Sequence, residues 1–163
     1  MSALLRGEPR LVPMTVAELN PVVVIEAAAY DFPWTRGNFI DSLAAGYLAR
    51  VLRDAGDHVV GYFVAMKGVD EVHLLNLTVA PPEQGQGCAR RMLDELVSLS
   101  QAMHAHQLWL EVRESNARAR TLYLRYGFRH VGIRRGYYPA LQGRREDAAV
   151  MSLQLAGGRD GLE

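Results

Sequence analysis

Apolar positions along this chain recur with two periods, and each switch between them marks an element. A short apolar run predicts a strand over Arg10–Met14. Thr15-Val-Ala-Glu18 has the capping-box pattern, so a helix is expected from about Val16 to Tyr30. Pro33 breaks it, and Thr35 can cap a second helix ending near Gly46. Tyr47–Arg53 and His58–Met66 read as strands joined across Asp54-Ala-Gly-Asp57, a hairpin signal. A second turn, Gly68-Val-Asp70, leads into a strand over Val72–Val79.

The period then changes to a helical one. Met92, Leu93, Leu96, Val97 and Leu99 form a broad apolar stripe on a helix expected from about Gly87 to His104. Leu108–Val112 predicts a short buried strand, and Ala117–Tyr126 a helix with Ser115 or Asn116 as N-cap and Gly127 closing it. Phe128–Arg134 and Ala148–Leu155 complete the strands, and 156–163 reads as a flexible tail. The order β-α-α-β-β-β-α-β-α-β-β predicts an α/β (α+β) fold: one mixed, mostly antiparallel, twisted sheet with helices on both faces. A single domain over 1–163, with its core at about 10–155, is expected.

Composition narrows the class. The chain has 163 residues, 49% hydrophobic and 22% charged, which describes an ordinary globular protein. No apolar run approaches the roughly 18–20 residues that span a bilayer, so no membrane association is expected. No signal-peptide pattern opens the sequence, and its one cysteine cannot form an internal disulfide, so the expected location is cytoplasmic. Net charge is zero, which argues against direct binding of nucleic acid. Residues 1–100 nevertheless carry 8 basic and 12 acidic side chains, whereas residues 101–163 carry 10 and 6. The arginines of the second half either face a phosphorylated ligand or form a solvated surface. His104 and His106 lack further ligands at metal spacing, so no metal site is expected.

Candidate chemistry begins where the strand ending at Val79 passes through Pro81-Pro-Glu-Gln-Gly-Gln-Gly87 into a helix. A glycine turn opening a helix aims backbone N–H groups and the positive end of the helix dipole at one anionic group. The alternative is a tight turn without a ligand. A Walker A loop is excluded because Cys88 and Ala89 follow Gly87, and a dinucleotide fingerprint because Arg90 stands where glycine or alanine is needed. Cys88 lies at the helix start, where a thiolate would be favoured, so a covalent cysteine route is conceivable there.

In Leu108-Trp-Leu-Glu-Val112, alternation puts Leu108, Leu110 and Val112 on one face and Trp109, Glu111 and Arg113 on the other. A carboxylate inside an apolar strand is costly to bury unless it is paired or used. Glu111 is therefore a candidate general base or a partner in an ion pair with Arg113 or another arginine. Downstream, Asn116 can cap a helix or contact a ligand, and Tyr123 is a core aromatic or a catalytic phenol.

Gln84-x-x-Gly87-x-Ala89 and the run Arg113 to Phe128, with Asn116, Tyr123 and Gly127-Phe128, resemble the two cofactor motifs of the Gcn5-related N-acetyltransferases. Phe32-Pro-Trp34, Asn76–Val79, Leu108–Arg113, Arg134-Arg-Gly-Tyr-Tyr-Pro139 and Arg145-Glu-Asp-Ala148 resemble, more narrowly, the branch that acetylates the N-terminal alanine of small-subunit ribosomal protein eighteen. The resemblance runs from about Leu11 to Leu155. It implies acetyl-CoA as co-substrate, a ribosomal-protein N-terminus as partner, and direct transfer in a ternary complex. By matching motif it implies Glu111 as base and Tyr123 as acid. Leu77, Thr78 and Val79 would offer backbone groups to the pantetheine. Gly85, Gln86, Gly87, Cys88, Ala89 and Arg90 would cradle the pyrophosphate, and Asn116 would contact the cofactor. Trp34, Tyr137 and Tyr138 would wall the peptide groove, or pack as ordinary core or rim residues. The chain departs from the pattern at Gly85, where relatives commonly carry a cation, and at Ala89, often glycine. Those departures imply weaker electrostatic binding of phosphate with the backbone donors retained.

Overall fold

Both threonine caps form. Thr15 accepts from the Ala17 N–H at 3.3 Å while Glu18 Oε1 accepts from the Thr15 N–H at 2.7 Å. Thr35 and Asn38 make the same reciprocal pair one helix later. The first helix is nevertheless divided into a 3₁₀ turn over Val16–Glu18 and α1 over Leu19–Ala29. Pro21 explains the division, since it has no N–H for the carbonyl of Ala17.

The computed structural model describes residues 8–156, so the expected tail lies almost wholly outside the described residues. Its other elements are β1 (Arg10–Pro13), α2 (Arg36–Ala44), β2 (Leu48–Arg53), β3 (Val59–Lys67), β4 (Glu71–Val79), α3 (Cys88–Ala102), β5 (Gln107–Arg113), α4 (Ala117–Tyr126), β6 (Arg129–Pro139) and β7 (Arg145–Gln154). The element order is the expected one. Seven strands hydrogen-bond in the order β1-β2-β3-β4-β5-β7-β6, with β4 and β5 parallel and the β1–β2, β2–β3, β5–β7 and β6–β7 pairs antiparallel.

The chain divides into two compact units, Met1–Met66 with Asn76–Leu96, and Lys67–Leu75 with Val97–Glu163. In the first, α1 buries Leu19, Val22, Ile25 and Glu26, and the core adds Phe39, Val51, Leu52, Tyr62, Phe63, Met92 and Leu93. Gly61 is required by close approach. A Cβ there would lie 2.9 Å from the Thr78 carbonyl oxygen and 3.0 Å from Met92 Cε. In the second unit, β5 alternates as expected, burying Leu108, Leu110 and Val112 against a core that includes Phe128, Ala148, Ala149 and Met151.

The last hairpin is longer than the sequence predicts. β6 continues past Arg134 to Pro139, and β7 starts at Arg145 rather than Ala148. Register with β7 breaks between Arg134 and Tyr138, where Gly136 has φ +59 and its N–H donates to Asp147 at 2.8 Å. This bulge re-aims Tyr137 and Tyr138.

Candidate active site

In the first unit, the turn after β4 is pinned by Gln84, whose Nε2 donates to the Val79 carbonyl at 3.2 Å. Gly85 and Gly87 both have φ +83, a left-handed conformation that side chains resist, and α3 begins immediately after at Cys88. The first amides of a 15-residue helix have no partner inside the helix. A Cβ on Gly87 would meet nothing within 4 Å, so the loop leaves open space over its backbone. Gln86, Gly87 and Arg90 are exposed, while Cys88 and Ala89 are half-buried. These are the features an anionic group needs for close approach to the main chain. Burial pushes the Cys88 thiol up, with the charge of Glu83 adding to it and Arg91 opposing. The thiolate expected at a helix start is thus not favoured here.

Thr78 and Val79 are buried and Leu77 is half-buried. Thr78 belongs to a polar network that sequence reasoning does not find. Its hydroxyl donates to Asn76 Oδ1 at 2.7 Å, so the Tyr30 hydroxyl, 2.6 Å away, donates to Thr78. Asn76 Nδ2 in turn donates to Glu26 Oε1 at 3.0 Å. Glu26 is 1% exposed and accepts two further bonds, from the Tyr62 hydroxyl at 2.7 Å and the Trp34 N–H at 2.9 Å. Burial pushes the Tyr30 phenol up to about 12, with the Glu26 charge acting in the same direction. Burial likewise raises Tyr62. The Trp34 ring packs at 5.2 Å from Phe39, so this side chain sits at the rim of the core.

In the second unit, Glu111 lies on the half-buried face of β5 with its side chain 5% exposed. Arg113, the nearest expected partner, instead bonds Glu146 Oε1 at 3.0 Å and the Pro139 carbonyl at 2.8 Å. Glu111 Oε1 is met by His73 Nε2 at 2.6 Å. Arg134 Nε lies 3.6 Å from Glu111 Oε2, and its guanidinium covers Tyr137 at 5.2 Å and Trp109 at 5.8 Å. Among the described residues, Glu111 Oε2 and Trp109 Nε1 are the buried side-chain polar atoms without a hydrogen-bond partner. Tyr137 and Tyr138 meet edge to face at 4.9 Å. Burial raises the Tyr138 phenol, and the Glu111 charge adds to that.

Asn116 caps α4, its Oδ1 accepting from the Ala119 N–H at 3.1 Å, and Gly127 closes the helix with φ +125. Tyr123 is 7% exposed on the same helix and meets Phe128 edge to face at 5.4 Å. Glu146 also accepts from the Ser115 N–H at 2.8 Å, tying the start of this segment to β7. The expected residues thus fall into two groups. Trp34, Leu77–Val79 and the glycine loop belong to the first unit, and Glu111, Asn116, Tyr123, Tyr137 and Tyr138 to the second. Among the described residues, no cluster of His, Cys, Asp and Glu is suited to hold a metal ion, and no helix is long and apolar enough to cross a membrane.

The model of the acetyltransferase (GNAT) family matches residues 19–128, and the chain belongs to that family. It is 38% identical over 138 residues to a ribosomal protein bS18-alanine N-acetyltransferase of Haemophilus ducreyi, covering 85% of this chain and 94% of the relative. The Escherichia coli enzyme of the same name is 38% identical over 143 residues, covering 88% of this chain and 95% of its own length. A crystal structure of the ribosomal-protein-S18-alanine N-acetyltransferase from Escherichia coli matches with a TM-score of 0.82 and 35% identity, covering 90% of this chain and 94% of that one.

Proposed function

We propose that this chain transfers the acetyl group of acetyl-CoA to the N-terminal α-amine of a protein, and that its substrate is the N-terminal alanine of ribosomal protein bS18. The substrate reading rests on the curated relatives, which align across more than nine-tenths of their own length. The chemistry rests on one observation above all. Glu111 is a buried carboxylate with one oxygen held by His73 and the other without a hydrogen bond. A buried acceptor with spare capacity is what a general base requires.

Acetyl-CoA supplies the activated acyl group. In the first unit, the Gly85–Arg90 loop and the amides opening α3 hold its phosphates, and the Leu77–Val79 backbone lines its pantetheine. In the second unit, Glu111 takes the proton of the attacking amine, and Tyr123 returns one to the departing sulfur. Asn116 contacts the cofactor while capping α4. Trp34, Tyr137 and Tyr138 contact the peptide as rigid aromatic surfaces. An α-amine titrates near 8, against about 10.4 for lysine, so at neutral pH the base has less work to do for an N-terminus. We read the chain as a single acetyltransferase domain that acts in the cytoplasm.

A peptide copying the bS18 N-terminus should acquire one acetyl group on its α-amine, located by fragment mass spectra. Acetylation mainly on lysine would overturn the substrate while leaving the transfer chemistry in place.

A further inference from the structure

Glu111 Oε1 and Oε2 are in different situations, and the register of β4 against β5 is the cause. The two strands run parallel with His73 opposite Trp109. Cross-strand neighbours share a face, and the residue two positions further along β5 on that face is Glu111. The His73 ring lies flat on the Trp109 indole, with centroids 3.7 Å apart and planes inclined by 7°. Stacking fixes the plane of the imidazole, and from that plane Nε2 reaches Glu111 Oε1 at 2.6 Å. Oε2 keeps its lone pairs, with Arg134 Nε 3.6 Å away on a side chain that is 49% exposed.

We propose that His73 is a positioning residue for acetyl transfer. Its Nε2–H clamps Oε1 of Glu111, so that Oε2 is the single oxygen to which the amine proton is delivered. As the C–N bond forms and the thioester C–S bond breaks, its electron pair leaves on the sulfur, which Tyr123 protonates, while the amine N–H bond breaks and its proton forms the O–H bond at Oε2. The hydrogen bond from His73 stays on Oε1 throughout. Trp109 acts one step further out, by holding the ring. A glutamate has three rotatable side-chain bonds, and without the clamp the charge left to orient its carboxyl group is Arg134, half-exposed and 3.6 Å from Oε2. Misplacement of a catalytic group by about 1 Å can cost 10²-fold in rate.

This inference rests on Glu111 being the base, and the experiment separates the two. Steady-state release of the coenzyme A thiol is measured with a peptide copying the bS18 N-terminus for the parent, His73→Phe, His73→Gln, Glu111→Gln and the His73→Phe/Glu111→Gln pair. His73→Phe keeps an aromatic ring for Trp109 but cannot donate, so kcat should fall roughly 10–100-fold while KM for acetyl-CoA stays within about twofold. His73→Gln can present an amide N–H to Oε1 and should recover most of the loss. In the Glu111→Gln background, His73→Phe should cause no further fall. If His73→Phe does not fold, His73→Met takes its place as the variant without a donor. Parent-like kcat in the folded donor-less variant would overturn the inference. So would a glutamine variant as impaired as the phenylalanine one, or losses that multiply in the double variant. Parent-like turnover of Glu111→Gln would instead overturn the assignment of the base itself.

Discussion

Asn76 on β4 donates a 3.0 Å hydrogen bond to the carboxylate of Glu26 on α1, fifty positions earlier in the chain. Through it the strand segment Asn76–Val79 is tied to a buried acid that also holds Tyr62 and the backbone of Trp34. Removing that carboxylate orphans three donors at once, each costing about 1–3 kcal/mol when left unsatisfied. Glu26→Ala should therefore destabilise the protein by at least about 3 kcal/mol in urea unfolding. A loss below about 0.5 kcal/mol would mean that the network relaxes onto other partners.

Stability should also fall in alkali, through Tyr30. Its folded-state value of about 12 lies above the ordinary 10.0, so the folded protein retains this proton to higher pH than the unfolded chain does. The contribution is fully present below pH 10 and is lost as pH rises from 10 towards 12. Tyr62 and Tyr138 are raised as well and act in the same direction. Urea midpoints measured across this window should decline, and the decline should be shallower in Tyr30→Phe. Identical slopes would remove Tyr30 from the account.

Replacing Glu111 by Gln keeps its size and removes its basicity. Turnover at neutral pH should drop about 10²–10⁴-fold, with calorimetric affinity for acetyl-CoA little changed. Tyr123→Phe keeps the ring that packs against Phe128 and deletes only the hydroxyl, so slowed transfer in a protein that still folds is expected. Full activity in either folded variant would return that side chain to a packing role.

Gly87 separates folding from binding. The space around its missing Cβ is open, but φ +83 opposes any L side chain at a cost of about 1–2 kcal/mol. Gly87→Leu should fold with reduced stability, and its side chain should cover the amides that open α3. Calorimetry should show weaker acetyl-CoA binding, and undiminished affinity would rule out the loop as the phosphate cradle.

Legibility in the sequence followed the distance over which each feature is determined. Thr15, Thr35, Asn116 and Gly127 act within one helical turn, and all four cap as their spacing predicts. The alternation of β5 was equally plain, since burial of every second residue is local. His73 was missed because its importance depends on a strand register that sets it against Trp109, and no local pattern encodes that register. Glu26 was missed for the same reason, its partners Tyr62 and Asn76 lying 36 and 50 positions away. The second half of β6 was hidden differently. It is a largely exposed edge strand interrupted by Gly136, so it shows neither alternation nor an unbroken run. Arg113 shares a face with Glu111, yet Glu146 and the Pro139 carbonyl claim its guanidinium, which same-face counting does not reveal.

The single thiol of the chain sits on the first residue of α3, half-buried and held towards its protonated form. The molecule thereby carries its own optical attachment point. One fluorophore on Cys88 labels one position in every copy, beside the loop assigned to the phosphates, without any cysteine having to be engineered out. Alkylation should be sluggish at neutral pH and quicken in mild alkali, and acetyl-CoA should shield the thiol. Occupancy of the loop becomes readable by the rate at which a dye attaches, in a preparation that contains no peptide and turns nothing over.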